Sequence, residues 1–452
     1  MKNTGMKLPA HFLNSIRDAK GFDKESFIQC HQSNERITSI RINPFKQSNI
    51  NFEETQQVPW CTDAIYLKER PSFTFDPLFH AGAYYVQEAG SMFIEFALRH
   101  SIDLSQTLSV LDLCAAPGGK STHLNSLIGQ DSFLISNEVI KNRTEILSYN
   151  LSKWGTCNTA VTNADPSVFS KLEGVFDLLI TDVPCSGSGL FRKQPEAVNE
   201  WSTENVATCS SRQKRILADA LNCLKPGGIL IYSTCSYSTE EDECIVEWLI
   251  NEFGMEFISL PVNKEWGIIE SDFGYRFYPN LVKSEGFFCA ALRKTNGSPA
   301  IKKHKNKFAD TASKKEIELL CKHVNIQPNH IVFKFENNYK LVNKNLFDFL
   351  NQFGSALYFR KTGTTVGELK HNDFIPDHEL ALSIYNQPQL TFELSLEDAI
   401  SFLKKETLNV KSQKGIHLIT YNKLGLGWAK VMDNRMNNYL PKEFRILSSE
   451  QD

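Results

Sequence analysis

Two cysteines close apolar runs, one of them after an acid and a proline in a combination that is rare. Asp182-Val183-Pro184-Cys185-Ser186-Gly187 closes one apolar run, and Ser233-Thr234-Cys235-Ser236-Tyr237 closes the next. A thiolate can add to C6 of a cytosine ring, turning C5 into an enamine carbon able to attack a methyl sulfonium. A free thiol with a pKa near ~8.5 is only about 3% ionised at pH 7, so the site must lower that value or remove the proton during attack. The Asp182 acid beside Pro-Cys could hydrogen-bond the N3 edge of the base. Taken alone, Cys235 reads as a buried structural thiol. Its place beside the Cys185 strand, at one edge of a parallel sheet, favours chemistry.

A second group of residues could hold a ligand. Cys114-Ala115-Ala116-Pro117-Gly118-Gly119-Lys120 follows a short apolar run and leads into a helix. Small residues and two glycines there let the backbone approach a ligand at the positive end of the helix. The string satisfies neither GxGxxG nor the phosphate loop GxxxxGK[ST], and a tight strand-to-helix turn is the plain alternative. Glu138, about twenty residues further on, could accept hydrogen bonds from ribose hydroxyls. It could equally serve a helix N-terminus as a dipole-favouring carboxylate. Asp165, in Thr-Asn-Ala-Asp-Pro-Ser, could bond an adenine amino group, although Asn-Ala-Asp-Pro is also simply a good turn.

These residues need strands and helices in alternation to position them. Leu108–Cys114, Phe133–Asn137, Val175–Asp182 and Gly228–Thr234 read as strands. Helices are expected from about Lys120, over Lys141–Lys153, from about Asn205 to Leu224, and over 240–252. Near-continuous apolar strands between helices predict an α/β fold with a parallel sheet covered on both faces, and ligands beyond the strands' carboxyl ends. The chain divides into an N-terminal extension (1–100), this α/β domain (101–295), a basic linker (296–315) and a C-terminal region (316–452). The extension holds a strand over Arg36–Asn43 and ends in a turn feeding a helix, Phe79–Leu98. The C-terminal region finishes in short β-strands with Gly turns. Arg293–Lys315 carries eight Lys or Arg against one Asp, suited to phosphates or to a solvated linker.

Bulk properties narrow the class. A chain of 452 residues, 41% hydrophobic and 22% charged, is an ordinary globular protein of two or three domains. No apolar run approaches the roughly 18 residues of a membrane span, and no secretory signal is visible, so a cytoplasmic protein without membrane contact is expected. Eleven irregularly spaced cysteines with no CxxC pair argue for free thiols in a reducing compartment, against disulfides and against a metal site. The net charge of −3 does not by itself suggest a polyanion partner.

Cys114–Lys120, Asn137-Glu138, Asp182–Gly189 and Ser233–Tyr237 together form a highly specific set. Through them the chain resembles the RNA cytosine-C5 methyltransferase family, which includes bacterial ribosomal-RNA enzymes and eukaryotic Sun-type proteins. The resemblance covers the α/β domain and extends to Ser39–Asn43, Tyr84–Met92 and Tyr278–Lys294. It implies a Rossmann-like S-adenosylmethionine-dependent methyltransferase domain with a mainly parallel sheet, preceded by an α/β RNA-binding region. It implies that Cys114, Ala115, Ala116, Pro117, Gly118, Gly119, Lys120, Glu138, Asp165 and Asp182 contact S-adenosylmethionine. Arg143, at the NExxxxR spacing, would help order that site. Cys235 would attack cytosine C6, Cys185 would assist product release, and Lys120 would sit close to both cofactor and base. Arg192 and Lys193 resemble basic positions near the substrate, with an ordinary exposed loop as the alternative.

Within the family, the C-terminal third is most similar to bacterial 16S rRNA enzymes that carry a PUA-like RNA-binding module, through Leu424–Ile446 and the preceding Gly363–Leu382. The implied partner is small-subunit rRNA or the ribosomal subunit, met by a monomer. Two alternatives remain. One is a DNA cytosine-C5 methyltransferase using Cys185 as nucleophile, against which the second cysteine argues. The other is a non-catalytic ribosome-assembly protein that binds RNA. If the C-terminal region is a separate RNA-binding unit, truncation near 316 weakens RNA binding and spares cofactor binding.

Overall fold

The computed structural model describes residues 7–448, apart from 34, 47–49, 51, 54, 298–306, 372, 409, 411, 433 and 434. The middle of the expected basic linker therefore lies outside the described residues.

A ten-stranded mixed sheet forms the centre. Its parallel strands are β1 (Ser109–Asp112), β2 (Phe133–Asn137), β3 (Thr159–Thr162), β4 (Phe176–Asp182) and β5 (Leu224–Thr234). They lie in the order β3-β2-β1-β4-β5, so the chain reverses direction across the sheet at β1 and β4. That reversal opens a crevice at the carboxyl edge, where Rossmann-like sheets take their ligands. Short strands β6 (Met255–Phe257), β7 (Ile269–Ser271) and β8 (Gly274–Phe277), with β9 (Phe287–Lys294), extend the β5 side in antiparallel fashion. Every residue of β2 is buried, as are Leu178–Ile180 and Ile229–Thr234. Burial on both faces is why these segments read as unbroken apolar runs.

Helices Gly119–Leu127, Lys141–Trp154, Thr203–Ala220 and Glu243–Phe253 provide the cover. Several boundaries differ from expectation, and the helix expected to reach Leu224 ends at Ala220. β5 begins at Leu224, so Lys-Pro-Gly-Gly lies inside the strand; Lys225 reaches Asp177 at 2.7 Å, holding that end to β4. The helix expected from 240 starts at Glu243, because Thr239–Glu241 forms a separate 3-10 turn.

The N-terminal region adds an antiparallel sheet of Thr38–Ile42, Gln56–Gln57, Ala64–Leu67 and Tyr84–Val86. The buried Arg41 docks it. Its Nη2 donates to Thr122 Oγ1 at 2.6 Å and to the Gly119 carbonyl at 3.2 Å, its Nε donates to Gln87 Oε1 at 3.0 Å, and its plane lies 4.5 Å from the Trp154 ring centre. An always-charged five-donor fork suits such a junction.

The C-terminal region comprises two parts. The first contributes strand β10 (Phe359–Thr362), antiparallel to β3 at the far edge of the central sheet. Phe333, Leu346, Phe349 and Leu350 from this part share one apolar core with Leu111, Phe176 and Leu179. The second is a small sheet of Thr391–Glu393, Gly415–Tyr421, Leu424–Val431 and Met436–Asn438. It leans on the Rossmann-like domain through Phe444, stacked 3.9 Å from Tyr149. Among the described residues no helix is long and apolar enough to cross a membrane.

Candidate active site

Strand register brings the two thiols together. β4 and β5 pair in parallel with Asp182 opposite Ser233, so Cys185 and Cys235 both fall just past the carboxyl edge. Their sulfurs lie 2.9 Å apart, and both cysteines are free. The Cys185 thiol is pushed well above the ordinary thiol range, first by the hydrogen bond it shares with Cys235 and then by burial. Both effects favour the protonated form of Cys185.

Lys120 and Asp182 sit beside them as an ion pair at 2.8 Å. Burial works against the Lys120 ammonium, but Asp182, then Asp112 and Cys235, outweigh it and hold its pKa above the usual lysine value. The other Asp182 oxygen accepts from Ser233 Oγ at 2.9 Å. Asp182 remains half-exposed, open to a ligand on its outer side.

The turn after β1 is fixed from behind. Gly118 has φ +113°, a conformation that side-chain-bearing residues rarely adopt. A Cβ at Gly119 would stand 3.3 Å from Tyr85 Cε1, so the backbone there passes close to the N-terminal region. Arg143 donates to the Ala116 carbonyl at 2.7 Å and pairs with Glu138 at 3.3 Å; Asn150 holds the Pro117 carbonyl at 2.8 Å. Ser121 donates to Asp112 Oδ2 at 2.6 Å, while Asp112 Oδ1 is buried with no hydrogen-bond partner. Burial raises the Asp112 carboxyl to about 7.

Cys114, Ala115, Ala116, Pro117, Gly119, Lys120 and Asp182 line a cleft of ≈ 210 Å³. Gly118, Glu138, Arg143 and Asp165 do not line it, though Glu138 and Arg143 brace its wall. Asp165 caps the turn Pro166–Lys171 by accepting from Ser167 N at 3.0 Å, and its other oxygen lies 3.6 Å from Arg215. The opposite wall comes from residues to which sequence reasoning gave no role: Tyr85, Val86, Gln87, Glu88 and Ser91. Their stretch, Tyr84–Met92, carried a family signal, but only the folded docking of the N-terminal region assigns it to the cleft. Glu88 accepts from the Glu285 backbone N–H at 2.9 Å. Arg192 is not on an ordinary exposed loop: its buried guanidinium lies 3.7 Å from Glu285 and donates to the Glu35 carbonyl at 2.5 Å, whereas Lys193 is exposed.

One group among the described residues has metal-ligand types in contact, Cys61, Glu95 and His123, all buried. The Cys61 thiol and His123 Nε2 bond Glu95 Oε2 at 3.1 and 3.0 Å, and Arg99 Nε donates to the other oxygen at 2.9 Å. With that guanidinium already balancing the carboxylate, the group is self-contained without a cation.

Residues 101–293 match the family described as 16S rRNA methyltransferase RsmB/F. Residues 8–89 match the N-terminal domain of 16S rRNA methyltransferase RsmF, and residues 389–446 its PUA domain. Ribosomal RNA small subunit methyltransferase F of Pectobacterium atrosepticum is 31% identical, over 98% of this chain and 96% of its own. The protein of the same name from Vibrio parahaemolyticus is 31% identical, over 96% and 97%. Among solved structures, a methyltransferase homolog from Pyrococcus horikoshii is 28% identical, with a TM-score of 0.51 over 64% of this chain and all of its own. NSun6 from the same organism shares the fold, with 19% identity and a TM-score of 0.54 over 64% and 99%.

Proposed function

The chain belongs to the family of ribosomal RNA small subunit methyltransferase F and is an RNA methyltransferase, and we propose that it methylates carbon 5 of a cytosine in 16S rRNA, with S-adenosylmethionine as methyl donor. The observation that carries this reading is the contact of two free thiols at the ends of adjacent parallel strands, beside the Lys120–Asp182 pair.

The residues present fit the cofactor. A buried, partnerless Asp112 oxygen suits a cationic ligand nearby, and the close backbone pass at Gly119 leaves the cleft free of side chain. Cys114–Lys120 and Asp182 would hold it, with Glu138 and Arg143 bracing that wall from behind. When bound, it supplies a methyl group on a sulfonium.

The protein's own groups then account for the rest. The target base must leave its stack to reach the thiols. Asp182, held by Lys120 and Ser233 on its inner side, can take a proton from the Lys120 ammonium and donate it to the N3 edge, drawing electron density from the ring. Cys235 forms the S–C6 bond and loses its proton, and the enamine pair at C5 takes the methyl group. A water base then takes the C5 proton, the C5–H electron pair forms the C5–C6 double bond, and the C6–S bond breaks with its pair returning to the Cys235 sulfur. The protonated Cys185 thiol donates a hydrogen bond to that departing thiolate and so stabilises it as a leaving group.

Substitution separates the two roles. Cys235→Ala is expected to abolish methylation. Cys185→Ala is expected to leave an RNA–protein adduct that survives denaturing gels. A Cys235→Ala enzyme that still methylates, with no adduct from Cys185→Ala, would reverse the assignment. Bisulfite sequencing of rRNA from a deletion strain tests the substrate; an unchanged set of small-subunit cytosines would refute it.

A further inference from the structure

Behind the two thiols lies a carboxylate that no role above uses. Glu241 is completely buried at the end of the 3-10 turn Thr239–Glu241. Its two oxygens accept four hydrogen bonds. Oε1 takes Ser186 N–H at 2.8 Å and Gln213 Nε2 at 3.1 Å; Oε2 takes Ser186 Oγ at 2.5 Å and Ser236 Oγ at 2.7 Å. Buried carboxylates persist only with such full pairing. Burial raises the Glu241 carboxyl, and the bonds from Ser186, Ser236 and Gln213 oppose that rise.

The partners matter more than their number. Ser186 follows Cys185, and Ser236 follows Cys235, so one carboxylate ties both thiol loops one residue beyond each sulfur. Gln213 also donates to the Pro184 carbonyl at 3.1 Å, on the other side of Cys185. The Tyr232 hydroxyl donates to the Glu241 carbonyl at 2.6 Å, anchoring the clamp to β5. Gly189 N–H donates to the Cys235 carbonyl at 2.7 Å, a contact that a Cβ at 189 would obstruct at 2.6 Å.

We propose that Glu241 is a positioning residue that holds the Cys185 and Cys235 loops in register, so that the two sulfurs stay in contact throughout turnover. The contribution to catalysis rests on the C5 reading above; the geometric claim does not. Without the clamp, the Cys185 loop drifts from Cys235 and the hydrogen bond that stabilises the leaving thiolate is lost, so the covalent adduct accumulates. The Gln variant retains most of the clamp, because its carbonyl can still take Ser186 N–H and Gln213 while both serine hydroxyls rotate to accept from its amide.

The experiment needs no RNA. Diamide removes two hydrogens from a thiol pair to give a disulfide and is itself reduced to the hydrazine. The rate of the Cys185–Cys235 crosslink, followed by peptide mass mapping on the full chain, therefore reports how often the sulfurs meet. Glu241→Ala is expected to slow the crosslink by roughly 10- to 100-fold, as a misplacement of about 1 Å does to a proximity-driven reaction. Glu241→Gln should remain within about threefold of the parent protein, the scale of less than 1 kcal/mol. If Glu241→Ala fails to fold, Ser236→Ala removes one of the ties and should give an intermediate rate. Crosslinking at the parental rate in both Glu241→Ala and Ser236→Ala overturns the proposal. Slow crosslinking in a protein whose parent makes no 5-methylcytosine would uphold the clamp and sink the C5 reading instead. Normal adduct release by Glu241→Ala, despite slow crosslinking, would overturn the catalytic part.

Discussion

Ending the chain at residue 315 is expected to unfold the methyltransferase domain, rather than release a dispensable tail. Strand β10 would leave the edge of β3, and Phe333, Leu346, Phe349 and Leu350, all buried, would leave the core built on β1 and β4. Burying one such side chain contributes ~1.5–3 kcal/mol. The four together contribute ~6–12 kcal/mol, an upper figure for a compact unfolded chain. Domains are stable by only ~5–15 kcal/mol, so the loss is of the same order as the total. Leu350→Ala within the intact chain should alone cost ~2–5 kcal/mol. The assay compares chains ending at 315 and at 388 by thermal melting and by calorimetric titration with S-adenosylmethionine. The longer one retains β10 and its supporting helix (Lys344–Phe353), and should melt cooperatively and bind cofactor while losing RNA affinity. A chain ending at 315 that melts and binds cofactor like the full protein would refute the reasoning. It would also restore the simpler picture in which only RNA binding depends on the C-terminal region.

Gly119→Val should weaken cofactor binding by about tenfold or more, or ~1.4 kcal/mol, with little change in melting, because the added methyls meet Tyr85 and Gln87 across the cleft; equilibrium dialysis measures it. Asp112, raised to about 7 by burial, is about half protonated at neutral pH, and a cationic cofactor favours its ionised form. Cofactor binding should therefore release protons and strengthen as pH rises from about 6 to 8, and Asp112→Asn should flatten that trend in calorimetry run in buffers of different ionisation heat. His31 is buried and lowered to about 4, chiefly by burial, so the unfolded chain takes its proton first as pH falls. Stability should be complete above about 6.5 and decline towards pH 4 by up to ~3 kcal/mol from this residue. Denaturant melts of His31→Gln should show a shallower acid limb.

What could be read from the chain follows from where burial comes from. β2 and the helix over Lys141–Trp154 were legible to within a residue, since two-sided burial and helical amphipathicity both write themselves into composition. Lys-Pro-Gly-Gly misled, because it looks like a stop signal while its strand is held by Lys225 and Asp177 across the sheet. β10 was invisible: Phe-Arg-Lys-Thr carries no strand pattern and becomes one only because the β3 edge needs a partner. In the site, Cys185, Cys235 and Asp182 were legible from their positions at strand ends, and Lys120 only through the family resemblance. Gln87 and Ser91 were not, since a wall built by docking one region on another has no local signature. Glu241 reads as one of several surface acids in Ser-Thr-Glu-Glu-Asp-Glu, and only its hydrogen bonds to Ser186 and Ser236 distinguish it from the equally buried Asp242.

The same geometry gives a physical basis for dividing labour between the two thiols, which sequence position alone left symmetrical. Their surroundings carry opposite charge. Asp182 chiefly, then Asp112 and last Cys235, raise the proton affinity of Lys120 against burial, so negative charge at Cys235 has an ammonium near it. Cys185 faces the negative side instead: after the shared hydrogen bond and burial, Cys235 and Glu241 both raise its thiol further. A sulfur next to a cation is the better place for a thiolate, and a sulfur backed by a carboxylate is the better place for a proton. A DNA-type arrangement, with the Pro-Cys sulfur as nucleophile, would have to develop its thiolate against the Glu241 charge while the cation stood by the other cysteine. The field set by Lys120 and Glu241 thus favours a thiolate at Cys235 and a hydrogen bond to it from the protonated Cys185, for reasons independent of family resemblance.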